Sequence, residues 1–289
     1  MANDAVTSLS TKVLRKSKGM RVKDTDAVLV FYQGTLMNGD EFDANFDFST
    51  FEAVENRDPF AFTLGAGQVI EGWDKGLVRQ RLGSVVELTI PADQAYGEAG
   101  SGDRIPPNSP LNFTVELLAV LPAGSSEPVF SDYNDLGVKT KKIGLTDELI
   151  ATTSGLKIGL DDADTIEGGK QADLLIGLKG KDWLSGGRGA DVLIGSKGKD
   201  TFHYSSFRDS PAADGKSDQL LDFGRNDKLD FTALATNLRF IGGDPFSGTA
   251  GDVRFDKGSL ELDKDGDGNA DLALLMPNTK SLKANNLIL

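Results

Sequence analysis

Five aspartates, Asp164, Asp173, Asp182, Asp191 and Asp200, recur at a spacing of nine residues. Glycine keeps the same period at Gly159, Gly168, Gly177, Gly186 and Gly195, and a large apolar residue does so at Ile166, Leu175, Leu184, Leu193 and Phe202. Aspartate is the short carboxylate. It suits tight turns and ligates hard cations from them. Composition follows the same preference: residues 123–289 hold 23 Asp and four Glu, whereas residues 1–122 hold ten Asp and seven Glu. A solvated helical face would use Glu at least as readily, because Asp is the poorer helix former. The chain therefore reads as two chemically different parts, joined near residues 122–139, where Pro, Gly, Ser and Asp crowd without periodicity.

Other chemistries are excluded by residue type. With no cysteine there are no disulfides, Cys–Zn sites or thiol nucleophiles. The single histidine, His203, rules out a His–Glu–x–x–His zinc site. It ends the last nine-residue repeat, beyond the expected strand, and is read as a surface or packing residue. Trp183 is expected to face outward by alternation. The formal net charge of −13 argues against a nucleic-acid partner and for cations. No stretch of 18 apolar residues is present, so no membrane span is expected. The first sixteen residues, MANDAVTSLSTKVLRK, lack the apolar core of a Sec-type signal.

The 289 residues suffice for about two domains. In the first part, residues 27–33, 60–64, 85–90 and 111–120 are β-branched, aromatic or alternating and read as strands. Met37–Asp40 reads as a turn. Residues 70–79 read as one short helix, stopped near Gly83. One helix against four or five antiparallel strands is an α+β layer arrangement.

These elements carry seven motifs in order: FYQGT from Phe31, GDEFD from Gly39, PFAFTLG from Pro59, VIEGWDKG from Val69, AYG from Ala95, IPP from Ile105 and LNFTVELL from Leu111. Together they resemble the FKBP-type peptidyl-prolyl isomerases over residues 10–122. The resemblance implies an antiparallel half-barrel wrapped on a short helix. It also implies a pocket formed by Tyr32, Phe42, Phe60, Val69, Ile70, Trp73, Tyr96, Ile105 and Phe113. Trp73 would be its floor. The Ile70 N–H and the Tyr96 hydroxyl would bind substrate carbonyls, and Asp43 would be the polar group beside the twisting amide. No cofactor is implied for catalysis. Taken singly, Phe60, Phe62, Trp73 and Phe113 read as ordinary core, and Asp43 as a turn residue. Two features depart from the family. Ser101 stands where a bulkier residue is frequent. Residues 44–58 form a longer connection bearing three extra phenylalanines, read as a pocket rim, a client surface or a small satellite core.

The repeats GLDDADTIE (159–167), GGKQADLLI (168–176), GLKGKDWLS (177–185), GGRGADVLI (186–194) and GSKGKDTFH (195–203) resemble the RTX, or haemolysin-type, calcium-binding nonapeptide. The resemblance implies an all-β parallel β-roll, with two repeats per coil and structural Ca²⁺ held by the aspartates and loop carbonyls. Paired sites are expected at 164/182, 182/200 and 173/191. Asp162 and Gln171 replace glycine at the fourth position, which implies weaker early sites. The flank, with DQLLDF from Asp218, DKLDFTAL from Asp227 and LDKDGDGNADL from Leu262, resembles the C-terminal region of serralysin-type proteins. Asp263, Asp265, Asp267 and Asp271 open like an EF-hand, but Leu274 takes the place of its closing Glu. They form either a smaller calcium loop or a hairpin turn. The apolar end, Ala284–Leu289, resembles an uncleaved type I secretion signal.

The expected organisation is an isomerase domain (1–122), a linker (123–158), a calcium-binding roll (159–203) and a β flank with the secretion signal (204–289). The expected protein is extracellular or at the cell surface. It leaves a bacterial cell through type I secretion machinery without a cleaved N-terminal signal, and acts on proline-containing polypeptide clients. The alternative is a calcium-dependent structural or adhesive protein whose first domain only binds peptides.

Overall fold

In the computed structural model, which describes residues 6–213, 215–234 and 237–289, the chain divides into two units, Met1–Val138 and Lys139–Leu289. Unit 1 contains β1 (Ser10–Arg15), β2 (Ala27–Leu36), β3 (Glu41–Ala44), β4 (Phe46–Asp47), β5 (Glu52–Ala53), β6 (Phe60–Thr63), α1 (Glu71–Leu77), β7 (Val85–Ile90), β8 (Leu111–Leu121) and β9 (Val129–Phe130). Its main sheet is antiparallel in the order β1-β7-β8-β2-β3, with β6 also on β2 and β9 on β8. Alternation builds this sheet. Leu111, Phe113, Val115 and Leu117 of β8 and Val86, Leu88 and Ile90 of β7 turn to one buried face.

Helix α1 lies on that face because two of its residues lack a side chain. A methyl group on Gly72 would overlap Ile90, with Cδ1 at 2.8 Å and Cγ1 at 2.9 Å, and one on Gly76 would lie 2.8 Å from Leu88 Cδ2. The helix is shorter than the expected 70–79. Val78 is extended, and Arg79 takes a left-handed φ of 72°. The Arg79 N–H donates to Val22 O at 2.9 Å, so the chain leaves the helix well before Gly83 to pair with residues 20–22.

The expected linker, 123–158, is folded into both units. Strand β9 pairs with β8, and Lys18 N–H donates to Asp135 O at 2.8 Å, so residues up to 138 belong to unit 1. In unit 2, α2 (Thr140–Ile143) and α3 (Asp147–Ile150) precede β10 (Gly155–Ile158), which pairs with residues 173–176.

From there the chain alternates between two main sheets, through β11 (Thr165–Gly169), β12 (Asp173–Ile176), β13 (Lys179–Gly180), β14 (Trp183–Gly187), β15 (Val192–Ile194), β16 (Lys197–Gly198) and β17 (Thr201–His203), of which β13 and β16 stand outside those sheets and pair with each other. Pairing is parallel, with partners 18 residues apart, as at Thr165–Trp183 and Leu174–Val192. The periodic apolar residues Ile166, Leu175, Leu184, Leu193 and Phe202 are all fully buried.

The winding does not stop at residue 203, where the flank was expected to begin. Strands β18 (Asp218–Leu220) and β19 (Lys228–Asp230) add to the two sheets with partners 27 residues apart. A nine-residue excess between β17 and β18 lengthens the step without changing the direction of pairing. The chain then forms β20 (Arg239–Phe240), β21 (Asp252–Asp256), β22 (Ser259–Asp263), β23 (Leu272–Leu275) and β24 (Leu287–Ile288). Strands β23 and β24 extend the two parallel sheets in turn, while β22 and β21 continue the first one antiparallel.

The Gly72 contact yields a sign test. In a free helix, Gly→Ala gains up to about 1 kcal/mol. Here G72A is expected to destabilise unit 1 by about 1–3 kcal/mol, through overpacking against Ile90, measured by urea unfolding of the full chain. A stabilised variant would contradict the close approach.

Candidate functional site

The ten residues expected to form the pocket all line one cavity of about 650 Å³. Each comes from a different local cause. Alternation along β2 brings Tyr32 to the α1 side, Phe42 and Asp43 follow from β3, and Phe60 begins β6. Val69 and Ile70 precede α1. The Asp74 carboxylate holds their loop by accepting from the N–H groups of Gly65 (2.9 Å) and Gly67 (3.2 Å). Trp73 is buried at the centre, ring-to-ring with Tyr32 (5.4 Å), Phe62 (5.5 Å) and Phe113 (5.1 Å). Phe113 in turn meets Phe42 edge-on at 5.4 Å. Both rings close over Gly34, where a methyl group would lie 2.7 Å from each.

Asp43, Gln68, Ser101, Asp103 and Arg104, with the Tyr32 and Tyr96 hydroxyls, supply the polar part of the lining. The Tyr32 hydroxyl donates to Asp43 Oδ2 at 2.7 Å, and Arg57 Nη1 lies 3.4 Å from Asp43 Oδ1. Burial, then the hydrogen bond to Asp43, holds the Tyr32 phenol well above the usual tyrosine range. Burial and the Asp43 charge also raise that of Tyr96. Tyr96 remains 39% exposed, so its hydroxyl is open to a ligand. Ile70 caps α1, so its N–H has no partner within the helix. The residue types alone did not single out Arg57, Gln68 or Arg104. Arg104 lines the cavity and donates from Nη1 to Phe42 O at 2.8 Å, tying the 101–105 loop, with Ser101, to β3.

The extra phenylalanines of residues 44–58 do not reach this cavity. Phe46 stacks on Phe31 at 4.6 Å and meets Phe48 at 4.9 Å, and Phe51 is buried. Phe31 and Tyr32 are consecutive on β2, so the cluster lies on the opposite sheet face. Of the three readings, the satellite core describes this arrangement and the pocket rim does not.

In unit 2 the periodic aspartates form two ladders. The backbone N–H of Asp164 donates to Asp182 Oδ1 (3.0 Å), that of Asp182 to Asp200 Oδ1 (3.1 Å), and that of Asp173 to Asp191 Oδ1 (2.8 Å). Both ladders run on into the flank. Asp200 N–H donates to Asp227 Oδ1 (3.1 Å) and Asp191 N–H to Asp218 Oδ1 (2.9 Å). Sequence reading missed Asp218 and Asp227 because the nine-residue period breaks at 203. The signal was present in DQLLDF and DKLDFTAL, which repeat the Asp-x-apolar order. Asp182 and Asp191 are fully buried, and among the described residues their Oδ2 atoms have no hydrogen-bond partner. Burial, reinforced by neighbouring aspartates, pushes both carboxyls up to about 7, against the lowering effect of the backbone N–H donors. Burial likewise raises Asp200 and Asp222 to about 6.

The departures at the fourth repeat position have a steric account. A methyl group on Gly180 would overlap Asp162 O in the coil beneath it. Asp162 and Gln171 stand in the first coil, and the residues 18 places before them precede β10. Nothing there demands glycine.

Asp263, Asp265 and Asp267 gather their carboxylates within 4.8 Å in the turn between β22 and β23. Asp263 is buried and accepts from Gly266 N–H (2.7 Å) and Gly268 N–H (2.9 Å). Asp271 stands apart, accepting from Lys264 N–H at 2.7 Å. Both expected arrangements, a small calcium loop and a hairpin turn, fit this geometry. His203 lies within β17 rather than beyond it. It stacks on Trp183 at 4.8 Å, and its Nδ1 is 3.2 Å from Asp230 Oδ2.

Burial is the leading cause of a raised pKa at all four tyrosines, Tyr32, Tyr96, Tyr133 and Tyr204. Their share of stability is therefore intact below the ordinary value of 10.0 and is lost as pH rises through the folded values. At pH 10.0 the folded chain is expected to show well under half of its phenolate absorbance, the remainder appearing on alkaline unfolding. Half-ionisation of the folded chain at that pH would contradict the burial.

The family model for FKBP-type peptidyl-prolyl cis-trans isomerases matches residues 18–118, and that for the peptidase M10 serralysin C-terminal region matches residues 139–289. FK506-binding protein 2 of Dictyostelium discoideum is 43% identical over 101 residues, which are 35% of this chain and 70% of that protein. A peptidyl-prolyl cis-trans isomerase of Schizosaccharomyces pombe is 44% identical over 98 residues, covering 34% of this chain and 80% of its own. FK506-binding protein 1 of Saccharomyces cerevisiae is 45% identical over 98 residues, covering 34% and 79%. The crystal structure of FkpA from Escherichia coli is similar at 41% identity with a TM-score of 0.35, over 42% of this chain and 52% of that one, so the chain spans about half of FkpA. The chain belongs to the FKBP-type peptidyl-prolyl cis-trans isomerases through its first unit and to the serralysin C-terminal family through its second.

Proposed function

We propose that this isomerase works outside the cell, on Xaa–Pro bonds of polypeptide clients, and that its second unit is a calcium-loaded β-roll that folds after export. The cavity around Trp73 carries the first part of the reading. Rotation about the Xaa–Pro amide is opposed by C–N resonance, with a barrier of about 18–20 kcal/mol. The planar amide is dipolar, and twisting it removes the charge separation. An apolar aromatic wall therefore favours the twisted state over the planar one. Trp73, Phe60, Phe113 and Ile105 supply that wall and seat the proline ring. The Ile70 N–H and Tyr96 hydroxyl hold the flanking carbonyls. Asp43, fixed by Tyr32 and Arg57, is the polar group beside the twisting amide. No covalent step or proton transfer is required.

The residue roles are tested by isomerisation of a short Xaa–Pro peptide. Y96F is expected to lower kcat/KM about tenfold, the rate equivalent of one hydrogen bond near 1.4 kcal/mol. D43A is expected to lower it at least as much, with unit 1 still folded. Wild-type turnover in both variants would overturn these roles.

The orphaned, buried carboxylate oxygens of Asp182 and Asp191 support the calcium reading. They are hard donors stacked at coil spacing, with glycine backbone close by, which suits Ca²⁺. Asp164, Asp173, Asp182, Asp191, Asp200, Asp218 and Asp227 would hold the ions, which would neutralise charge that the apolar core cannot solvate. In a cell interior poor in calcium, those carboxylates repel and the glycine-rich chain stays unfolded, fit for threading through an exporter. Extracellular modules bind Ca²⁺ with Kd of about 0.1–1 mM, so folding follows export.

Far-ultraviolet circular dichroism of the full chain tests this. Strand content from unit 2 is expected to rise with calcium over about 0.1–1 mM. In chelator the sign of the pH dependence is set by the raised carboxyls: their stabilising protons are present near pH 3.8 and are lost as pH climbs through about 6 to 7. Metal-free strand content should fall over that range, and calcium should abolish the fall. No response to calcium up to about 10 mM would overturn the reading.

A further inference from the structure

Unit 1 concentrates its positive charge at one place. It carries eleven Lys and Arg against twenty Asp and Glu, a net of −9, yet eight of the eleven fall in residues 12–23 and 79–81, two stretches without an acidic residue. The fold laces these stretches together. Arg79 N–H donates to Val22 O, Val22 N–H to Gln80 O and Leu82 N–H to Met20 O, each at 2.9 Å, and Arg21 and Arg81 form an antiparallel bridge.

Between the two stretches lies a concavity of about 300 Å³, lined by Arg21, Arg79, Arg81, Ser17 and Ser84 and by no carboxylate. Main-chain carbonyls hold two of the guanidiniums in place. Arg21 Nη1 donates to Arg79 O (3.1 Å), and Arg81 Nη1 donates to Gly19 O (2.9 Å) and Lys18 O (3.3 Å). A guanidinium has five N–H donors, so most remain for a ligand. The Ser17 and Ser84 hydroxyls donate to Leu82 O and Arg81 O, so they brace the loop. Among the described residues, none of the three arginines forms an ion pair.

Three like charges held together raise the free energy of the site until an anion balances them. Guanidinium forks match phosphate oxygens bidentately. A carboxylate offers two oxygens and one charge, too few for three forks, whereas a phosphate monoester offers three free oxygens and a larger charge. We propose that this concavity is a binding site for the phosphate group of a larger molecule, held by Arg21, Arg79 and Arg81. It shares no lining residue with the isomerase cavity. Trp73 lies in the first turn of α1 and Arg79 beyond its C-terminal end, so the phosphate site can be filled while a client occupies the first.

Two probes separate the sources of such a phosphate monoester: soluble glycerol 3-phosphate and vesicles containing phosphatidic acid, each added to the full chain. Glycerol 3-phosphate is expected to shift the arginine side-chain N–H resonances saturably, with Kd of about 1 mM or below. R79Q, whose side chain anchors no loop, should weaken this at least about fivefold at unchanged isomerase activity and thermal stability. The triple variant R21Q/R79Q/R81Q should abolish it. Vesicle co-sedimentation that glycerol 3-phosphate competes away would assign the ligand to a membrane headgroup, and saturable soluble binding without co-sedimentation to a free phosphate ester. No saturable shift up to about 20 mM together with no co-sedimentation would overturn the proposal. So would binding that R79Q leaves unchanged.

Discussion

Missing side chains let the main chain press close enough for both units to exist. In unit 1, Gly72 and Gly76 seat α1 on Ile90 and Leu88, and Gly34 lets Phe42 and Phe113 close over β2. In unit 2, Gly180 admits the carbonyl of the coil beneath. At each point one added methyl group would push atoms into overlap. The interior is packed as tightly as an organic crystal, so such overlaps are relieved only by moving whole elements. The position of Trp73, and with it the cavity floor, is set by how near the helix can come to the sheet.

The two units solve opposite problems with this proximity. Unit 1 builds an aromatic wall and sets the charge of Asp43 beside it, steadied by Tyr32 and Arg57. Unit 2 draws carboxylates inward, against their own desolvation, and offsets part of that cost with backbone N–H donors. Among the described residues, the buried carboxylate oxygens without a hydrogen-bond partner all lie in unit 2.

Much of this was legible in the sequence. All ten pocket residues converge on one cavity because the seven motifs each fix a local conformation, and the sheet register does the rest. The nine-residue period fixed the 18-residue pairing, since two repeats return the chain to the same sheet. What was not legible depends on long-range pairing. Residues 123–138 look like a linker because β9 has only two residues, yet β8 gives them an edge to join. Helix α1 ends early because residues 20–22 compete for the Arg79 and Leu82 N–H groups, which no local propensity reports. Asp218 and Asp227 escaped because a nine-residue excess hides their register, and Arg57 because its partner Asp43 lies across an insertion.

The ladders of unit 2 have a direction. Each aspartate N–H donates to the carboxylate of the following coil, never to the preceding one. Every coil is therefore completed by its successor, and the series ends only where Asp218 and Asp227 supply carboxylates from outside the repeats. Such a structure behaves as a one-dimensional array in which the terminal element controls the ends. The flank acts as its closing stone: the five repeats together cannot satisfy their own last rung. A chain delivered with residues 218–227 last would keep its final coils open until those residues arrived, whatever the state of the coils before them.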